Sequence, residues 1–258
     1  MNLLNYIILG VIQGITEFLP ISSSAHLLIF KDFVNLNEGI FLDVYLHLAT
    51  LLSIIFFYKN KIFTLTTKSI KEIKSKRLGE NTKYIGYVVI GIIPVVIAGL
   101  FFEQFFENLR TIKMTCAMLV SIGVFMLFDP LVKERESKIT FKKAVIIGLF
   151  QILALIPGAS RSATTITTAN FLKISKNVSV EYSFLMGIPI FIGAFLLKLK
   201  ELDNFDFIFN FYYIAAFITA FLTGLVSIKF LISILNKYGF MPFAIYRIFL
   251  AIFLYTLF

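Results

Sequence analysis

Ten residues near the N-terminus, EFLPISSSAH (Glu17–His26), set a carboxylate, three consecutive hydroxyls and an imidazole inside an otherwise apolar stretch. Gln13 lies one helical turn before Glu17, so a helix here puts amide and carboxylate on one face. Pro20 ends that helix, and Ser22–Ser24 are strong N-cap residues for the next one. Ser23 and His26, three apart, share a face of that second helix. The turn at Pro20 is expected to draw Glu17, Ser23 and His26 together. A hydroxyl near an imidazole and a carboxylate is equipment for nucleophilic attack with proton transfer. An ionised Glu at membrane depth costs roughly 2.5–3.5 kcal/mol, so Glu17 needs a cation, either arginine or metal. Capping and ion pairing alone would use one hydroxyl and leave His26 without a purpose.

A second stretch, PGASRSATTITT (Pro157–Thr168), carries one guanidinium, Arg161, among the hydroxyls Ser160, Ser162, Thr164, Thr165, Thr167 and Thr168. Gly158 lets backbone N–H groups turn inward with no side chain in the way. A helix beginning here aims its free N–H groups and positive dipole end at the break, which makes an anion site. Arg161 adds a planar, two-pronged donor suited to phosphate. A lone Arg serving only to neutralise Glu17 is the plainer alternative. Thr167 and Thr168 carry little weight, because Thr commonly bonds its own helix backbone. Two helix N-termini, an Arg, a Ser/His pair and a Gln/Glu pair form the inventory of phosphoryl chemistry.

The elements that must position these groups are membrane helices. The chain is 59% hydrophobic, with a mean hydropathy of +0.89, against roughly 45–50% apolar in a soluble domain. The net charge of +9 is read as loop charge that sets orientation, not as a nucleic-acid surface. One cysteine, Cys116, excludes a disulfide framework, and the N-terminus lacks the features of a signal peptide. Six stretches approach the ~20 residues that a span requires: Ile40–Tyr58, Tyr84–Phe106, Ile112–Leu131, Tyr182–Leu199, Phe207–Phe230 and Phe240–Phe258. The stretches 2–33 and 141–172 are broken at Pro20 and Pro157. Ile7 to Phe18 spans only ~18 Å as helix, so both read as re-entrant hairpins with the break held in protein or facing water.

Basic residues agree with this topology. Residues 59–83, 133–143, 173–176 and 229–237 fall on one side and carry most of the Lys and Arg. The other side receives Lys31, Arg110, Lys113, Lys198 and Lys200, with the acidic Glu201, Asp203 and Asp206. The first side is therefore cytoplasmic, and the first hairpin opens outside. The expected fold is an all-α polytopic membrane protein. It has six transmembrane helices plus two re-entrant helix-loop-helix hairpins, in an inverted-topology repeat whose broken elements meet near the midplane. The whole chain, 1–258, is one membrane domain, with repeat halves 1–131 and 139–258. An internal echo supports the repeat: GVIQGITEFLPISSSA against GLFQILALIPGASRSA, each with G-x-x-Q, a Pro and a Ser-rich turn.

At these two motifs the sequence resembles the undecaprenyl-diphosphatase family, also called bacitracin-resistance proteins. QGITEFLPISSSAH (Gln13–His26) is similar to the family's first motif, and PGASRSATT (Pro157–Thr165) to its P-G-x-S-R-S-x-x-T motif. The likeness runs essentially end to end. It implies hydrolysis of a C55 polyprenyl diphosphate to the monophosphate lipid carrier that is recycled for bacterial cell-wall (peptidoglycan) synthesis, with resistance to bacitracin. It also implies a divalent cation, Mg²⁺ or Ca²⁺. Carried over by position, the resemblance makes Glu17 the key acid and a metal ligand, with Gln13 its partner. Ser23 is the nucleophile, His26 the proton-transfer residue and Arg161 the phosphate ligand. Ser22, Ser24, Gly158, Ser160, Ser162 and Thr165 would contact the diphosphate. Gln13 stands where many members carry Glu, which weakens it as a metal ligand.

The expected setting is the bacterial cell membrane, multi-pass, with the site facing outside. The expected partners are the lipid diphosphate and membrane lipids, and no nucleic acid. A second copy of the chain is a further candidate partner. Attack by Ser23 and direct attack by water both satisfy the motif. Asp43 and His47, four apart in FLDVYLH, either support the site or bond each other. Arg247 in the last span either pairs within the bundle or lines a lipid path. Glu103 and Asp129, near span ends, are expected to face headgroups. The alternative to hydrolysis is a polyprenyl-phosphate transporter or flippase on the same architecture, which needs neither nucleophile nor proton carrier.

Overall fold

The computed structural model describes residues 2–36, 40–129, 138–199 and 210–258, among which lie twelve α-helices. The first broken stretch forms α1 (Leu3–Thr16) and α2 (Ser23–Phe33). The second forms α8 (Phe141–Gln151), a short 3-10 turn (Ile152–Leu155) and α9 (Arg161–Phe171). At 1.5 Å per residue, each arm is only about 17–21 Å long. These arms end inside the protein, where Phe18, Leu19 and Ile21 share one buried apolar cluster with Ala159, Ala163 and Ile166.

Three further helices have the length and apolarity to cross a bilayer: α5 (Glu80–Phe101), α10 (Lys176–Leu199) and α11 (Phe211–Tyr238). The other apolar helices, α3 (Ile40–Phe57), α7 (Ile112–Leu127) and α12 (Met241–Leu257), have 16–18 residues, or about 24–27 Å. The expected second span stops at Phe101, and a separate short helix, α6 (Glu103–Asn108), follows it. Residues 59–83 are not the loop that their charge suggested. They hold α4 (Lys59–Lys74), bent 70° from α3. Its sequence KNKIFTLTTKSIKEIK alternates apolar and basic faces, as an interfacial helix does. The expected start of one span at 207 and end of another at 131, together with Lys133, Arg135, Lys200, Glu201, Asp203 and Asp206, lie outside the described residues.

The hairpins are inserted among the long helices. Helix α1 packs along α11 and α8 along α5, while α3 runs against both α10 and α11, and α7 pairs with α12. Small residues allow these approaches, since apolar side chains gain little by leaving lipid. Gly10 and Gly14 of α1 face Ala216, Ala220 and Gly224 of α11; a Cβ on Gly14 would sit 2.5 Å from the Ala220 carbonyl oxygen. A Cβ on Gly148 of α8 would likewise sit 2.5 Å from the Gly91 carbonyl oxygen of α5.

Outside the bundle, Glu72 ties α4 to the start of α5. Its carboxylate accepts from Asn81 N (3.4 Å) and Nδ2 (2.7 Å) and from Thr82 N (2.9 Å) and Oγ1 (2.7 Å). The Asn81 side chain first, then Thr82, hold the Glu72 carboxyl down at about 2. A depressed carboxyl stabilises the folded state above its ordinary value of 4.5 and loses that effect as pH falls toward about 2. Hydrogen exchange at the Asn81 and Thr82 amides should therefore be faster in Glu72→Gln than in the parent protein at pH 7, with the difference vanishing near pH 2. Gly14→Leu should overpack the α1–α11 contact and lower stability in detergent by about 1–3 kcal/mol. Gly86→Leu, at a position with open space around it, should leave the unfolding midpoint unchanged.

Candidate active site

Both hairpins turn in the same unusual way. Ser22 and Ser160 are the N-caps of α2 and α9, with φ of 76° and 68°. Each side chain accepts from a backbone N–H three residues on, Ala25 at 3.4 Å and Ala163 at 3.3 Å. Each hydroxyl also lies 3.1 Å from that of the serine two residues on, Ser24 or Ser162. A non-glycine residue in the left-handed region costs of order 1–3 kcal/mol and persists only where its surroundings impose it. The result is two helix N-termini opening at one place.

A cavity of about 340 Å³ lies at that place, bordered among others by Glu17, Ser23, His47, Gln151, Ser160 and Arg161. Ser22 and Ser24 also line it. Glu17 Oε2 accepts from Ser23 Oγ at 2.8 Å and from Gln13 Nε2 at 3.2 Å. His47 Nδ1 donates to the Asp43 carbonyl at 2.6 Å, and Nε2 lies 3.3 Å from Glu17 Oε2. On the other side, Arg161 Nη2 is 3.5 Å from Glu17 Oε1. Arg161 is held by Nη1 donating to the Ser183 carbonyl at 2.9 Å and by the Phe191 ring 4.8 Å from its guanidinium carbon. Room for it exists because residue 187 is Gly; a Cβ there would lie 2.5 Å from Nη1. Arg161 Nε, buried, has no hydrogen-bond acceptor, and Nη2 has only the long ion pair to Glu17 Oε1. Arg110 borders the same cavity and a second one of about 750 Å³ that adjoins it through Ser24, Val44 and His47.

The two halves are locked together at their backbones. Ser162 Oγ lies 3.4 Å from the Glu17 carbonyl oxygen and 3.5 Å from that of Leu19. Arg247, fully buried, donates to Pro20 O (3.2 Å) in the first break and to Gly158 O (2.7 Å) and Ala159 O (3.1 Å) in the second. It also donates to Met118 O and Leu119 O of α7, both at 3.3 Å. Its role is therefore within the bundle.

Expectation and geometry part at several residues. Glu17 and Ser23 meet, but His26 does not join them. Its Nδ1 donates to the Ser22 carbonyl at 2.7 Å, and Nε2 accepts from Tyr246 Oη at 2.6 Å. That first bond folds the ring back on its own helix start and toward α12. The histidine beside Glu17 is His47, which the D-x-x-x-H spacing signalled without deciding. Gly158 (φ +88°) fits against the Thr115 backbone of α7, where a Cβ would collide, and gives its carbonyl to Arg247. Thr165 bonds the Arg161 carbonyl at 2.7 Å and Ser183 Oγ at 2.6 Å. Gly158, Ser162 and Thr165 thus face protein partners, because only the first residues of α9 point at its N-terminal opening. Asp129 does not face headgroups; it is buried and accepts from Asn170 Nδ2 at 2.5 Å. Ser183 and Gly187 had no visible motif.

The donor set bears on a metal ion. Among the described residues no three His, Cys, Asp or Glu side chains cluster. The site offers one carboxylate, Glu17; behind it, off the cavity lining, Gln13 keeps a buried Oε1 without a partner. Mg²⁺ commonly takes one or two carboxylates and completes its shell with water and phosphate oxygens. These residues fit a cation shared with a phosphate ligand, not a closed protein cage.

Fold and site together define a multi-pass membrane protein in which two broken helices open on one cavity bordered by a carboxylate, an arginine and serines. The chain belongs to the bacitracin resistance protein BacA family, whose model matches residues 6–253. Similar proteins include the undecaprenyl-diphosphatase of Elusimicrobium minutum, 37% identical over 98% of this chain and 96% of that one. That of Idiomarina loihiensis is 36% identical over 100% of both chains. That of Borreliella burgdorferi is 37% identical over 97% of this chain and 96% of the other.

Gly187→Ala should crowd Arg161 out of its seat. Binding of inorganic pyrophosphate, measured by calorimetry, should weaken about tenfold, the order of one lost charge-assisted contact. The thermal midpoint should stay within a few degrees of the parent protein's.

Proposed function

We propose that this protein hydrolyses undecaprenyl diphosphate to undecaprenyl phosphate and inorganic phosphate, returning the lipid carrier to cell-wall synthesis and thereby conferring bacitracin resistance. The observation that carries this reading is Arg161. Its buried Nε lacks an acceptor, its Nη2 has only the 3.5 Å ion pair to Glu17, and the residue borders a cavity at the mouths of two helix N-termini. A buried cationic donor without an acceptor is expensive, and phosphate oxygens are the acceptors that suit it. The relatives are undecaprenyl-diphosphatases, which agrees with this reading and gives the transporter alternative no support.

In the proposed reaction Arg161 and the N-termini of α2 and α9 bind the terminal phosphoryl oxygens and stabilise the charge that builds on them. Ser23 Oγ, already donating to Glu17 Oε2 at 2.8 Å, attacks phosphorus as Glu17 takes its proton and passes it to the departing oxygen of the lipid monophosphate. The lipid monophosphate leaves, and water then clears the phosphoserine. In the other version water attacks directly and Ser23 only holds the phosphoryl group. Glu17 and Gln13 Oε1 would hold a divalent cation, which supplies neutralisation of the diphosphate charge. His26, through its bond to the Ser22 carbonyl, fixes the turn that presents Ser23, and so acts as a positioning residue. Ser22, Ser24 and Ser160 line the phosphate cavity. The proposed location is the cell membrane with the site opening outward, the repeat halves inverted about the two breaks. The matched packing of α1 on α11 and α8 on α5 supports that repeat.

The test is phosphate release from C55 diphosphate by purified protein, with and without EDTA. Arg161→Gln should lower kcat/KM by about 10²–10³-fold, and EDTA should abolish release. A protein that moves the lipid between leaflets without releasing phosphate would overturn the reading. A trapped phosphoserine at residue 23 selects covalent catalysis, whereas full activity in Ser23→Ala selects direct attack by water.

A further inference from the structure

Arg161 Nε is not the only polar atom at the cavity's border without a hydrogen-bond partner. Gln151, at the C-terminal end of α8, is fully buried and borders the cavity with Glu17, Ser23 and Arg161. Its Nε2 donates to the Gly91 carbonyl at 3.1 Å. A carbonyl can only accept, so this bond fixes which end of the amide is which. The close seating of Gly148 on the same carbonyl holds α8 in register for it. Oε1 is then committed as an acceptor, and it has no donor. Phosphate oxygens can satisfy the unpartnered N–H groups of Arg161, but not an amide oxygen, because both are acceptors. The occupied site must therefore also hold a hydrogen-bond donor. Hydrolysis requires one, namely water.

We propose that Gln151 Oε1 accepts a hydrogen bond from the water that attacks phosphorus and orients that water's lone pair toward the phosphoryl group. The proposal rests on the hydrolase reading above and adds a catalytic residue to it. In the step concerned, the water oxygen forms a new P–O bond while the P–O bond to the leaving oxygen breaks. That leaving oxygen is Ser23 Oγ or, in direct attack, the lipid monophosphate. One water proton passes to the leaving oxygen and the other remains on the released phosphate. Gln151 itself gains and loses no proton. Gln13, at the same place in the G-x-x-Q echo, is bonded to Glu17 instead, so the two amides are not interchangeable.

The experiment is steady-state phosphate release from C55 diphosphate by the full-length protein across a Mg²⁺ titration, with inorganic phosphate as competitive inhibitor. Gln151→Met keeps the length and removes the acceptor. It should lower kcat about tenfold or more, as loss of a positioning contact does. KM, the phosphate inhibition constant and the Mg²⁺ midpoint should stay within about twofold, inside the scatter of a neutral change. Gln151→Glu, which restores an acceptor oxygen at the same reach, should recover part of kcat. An unchanged kcat in Gln151→Met overturns the proposal. So does a shifted Mg²⁺ midpoint, which would assign Oε1 to the cation, or a rise in KM matching the fall in kcat/KM, which would assign it to substrate. If Gln151→Met does not fold, Gln151→Asn, which withdraws the amide by one carbon, is read by the same criteria. Absence of release from the parent protein would count against the hydrolase reading itself.

Discussion

Two helices stop in the middle of an apolar bundle, and the carbonyls stranded there need donors that lipid cannot supply. Arg247 meets most of that need. One guanidinium reaches Pro20 in the first break, Gly158 and Ala159 in the second, and Met118 and Leu119 of α7. Bonds from a charged donor are each worth about 1.5–3 kcal/mol. Among the described residues Arg247 pairs with no carboxylate, so its charge is spread over carbonyl dipoles alone. This clamp, with the Ser162 contacts to Glu17 and Leu19 and the shared apolar cluster, holds the breaks and the groups they carry side by side.

The reaction centre follows from that juxtaposition. Each break imposes a left-handed serine at a helix start, Ser22 and Ser160. Each serine directs its helix's free N–H groups at the common cavity. Strain concentrated at two equivalent positions is what a working site retains when its neighbours over-determine it. Charge is arranged on the same terms. Glu17, from the first hairpin, lies between His47 of α3 and Arg161 of the second hairpin. A buried carboxylate becomes tolerable because one element brings it a cation, Arg161, and another an imidazole, His47. What is left unsatisfied, Arg161 Nε and the oxygens of Gln13 and Gln151, marks the chemistry that a ligand must complete.

Much of this was legible in the primary structure because the signals were local. Pro20 and Pro157 announced the breaks, Ser22–Ser24 the cap of the second helix, and Glu17 required a partner of opposite charge. Side-chain direction around a break was not legible. His26 shares a helical face with Ser23 on paper, yet its ring turns to Ser22 and Tyr246. Ser162 and Thr165 face protein, and Gly158 serves close packing against α7. The basic run 59–83 reads as a loop by charge, but Lys59–Lys74 makes a helix because its apolar residues recur at helical spacing. Gly10 and Gly14, a small-xxx-small pair against Ala216, Ala220 and Gly224, was a readable signal for the α1–α11 contact that charge and proline patterns overshadowed.

The sequence by itself determined the class of environment, the location of both helix breaks and the identity of the opposed charges. Each is written in hydropathy, proline and titratable residues over a few turns of chain. Only the tertiary structure decided which histidine meets Glu17, which hydroxyls face the cavity and what becomes of Arg247. Those contacts join residues as distant as 20 and 247, through packing of helices whose rotation no local spacing specifies. Register between helices is set by where glycine lets backbones touch and by which stranded carbonyl finds a donor, and both are properties of the assembled bundle.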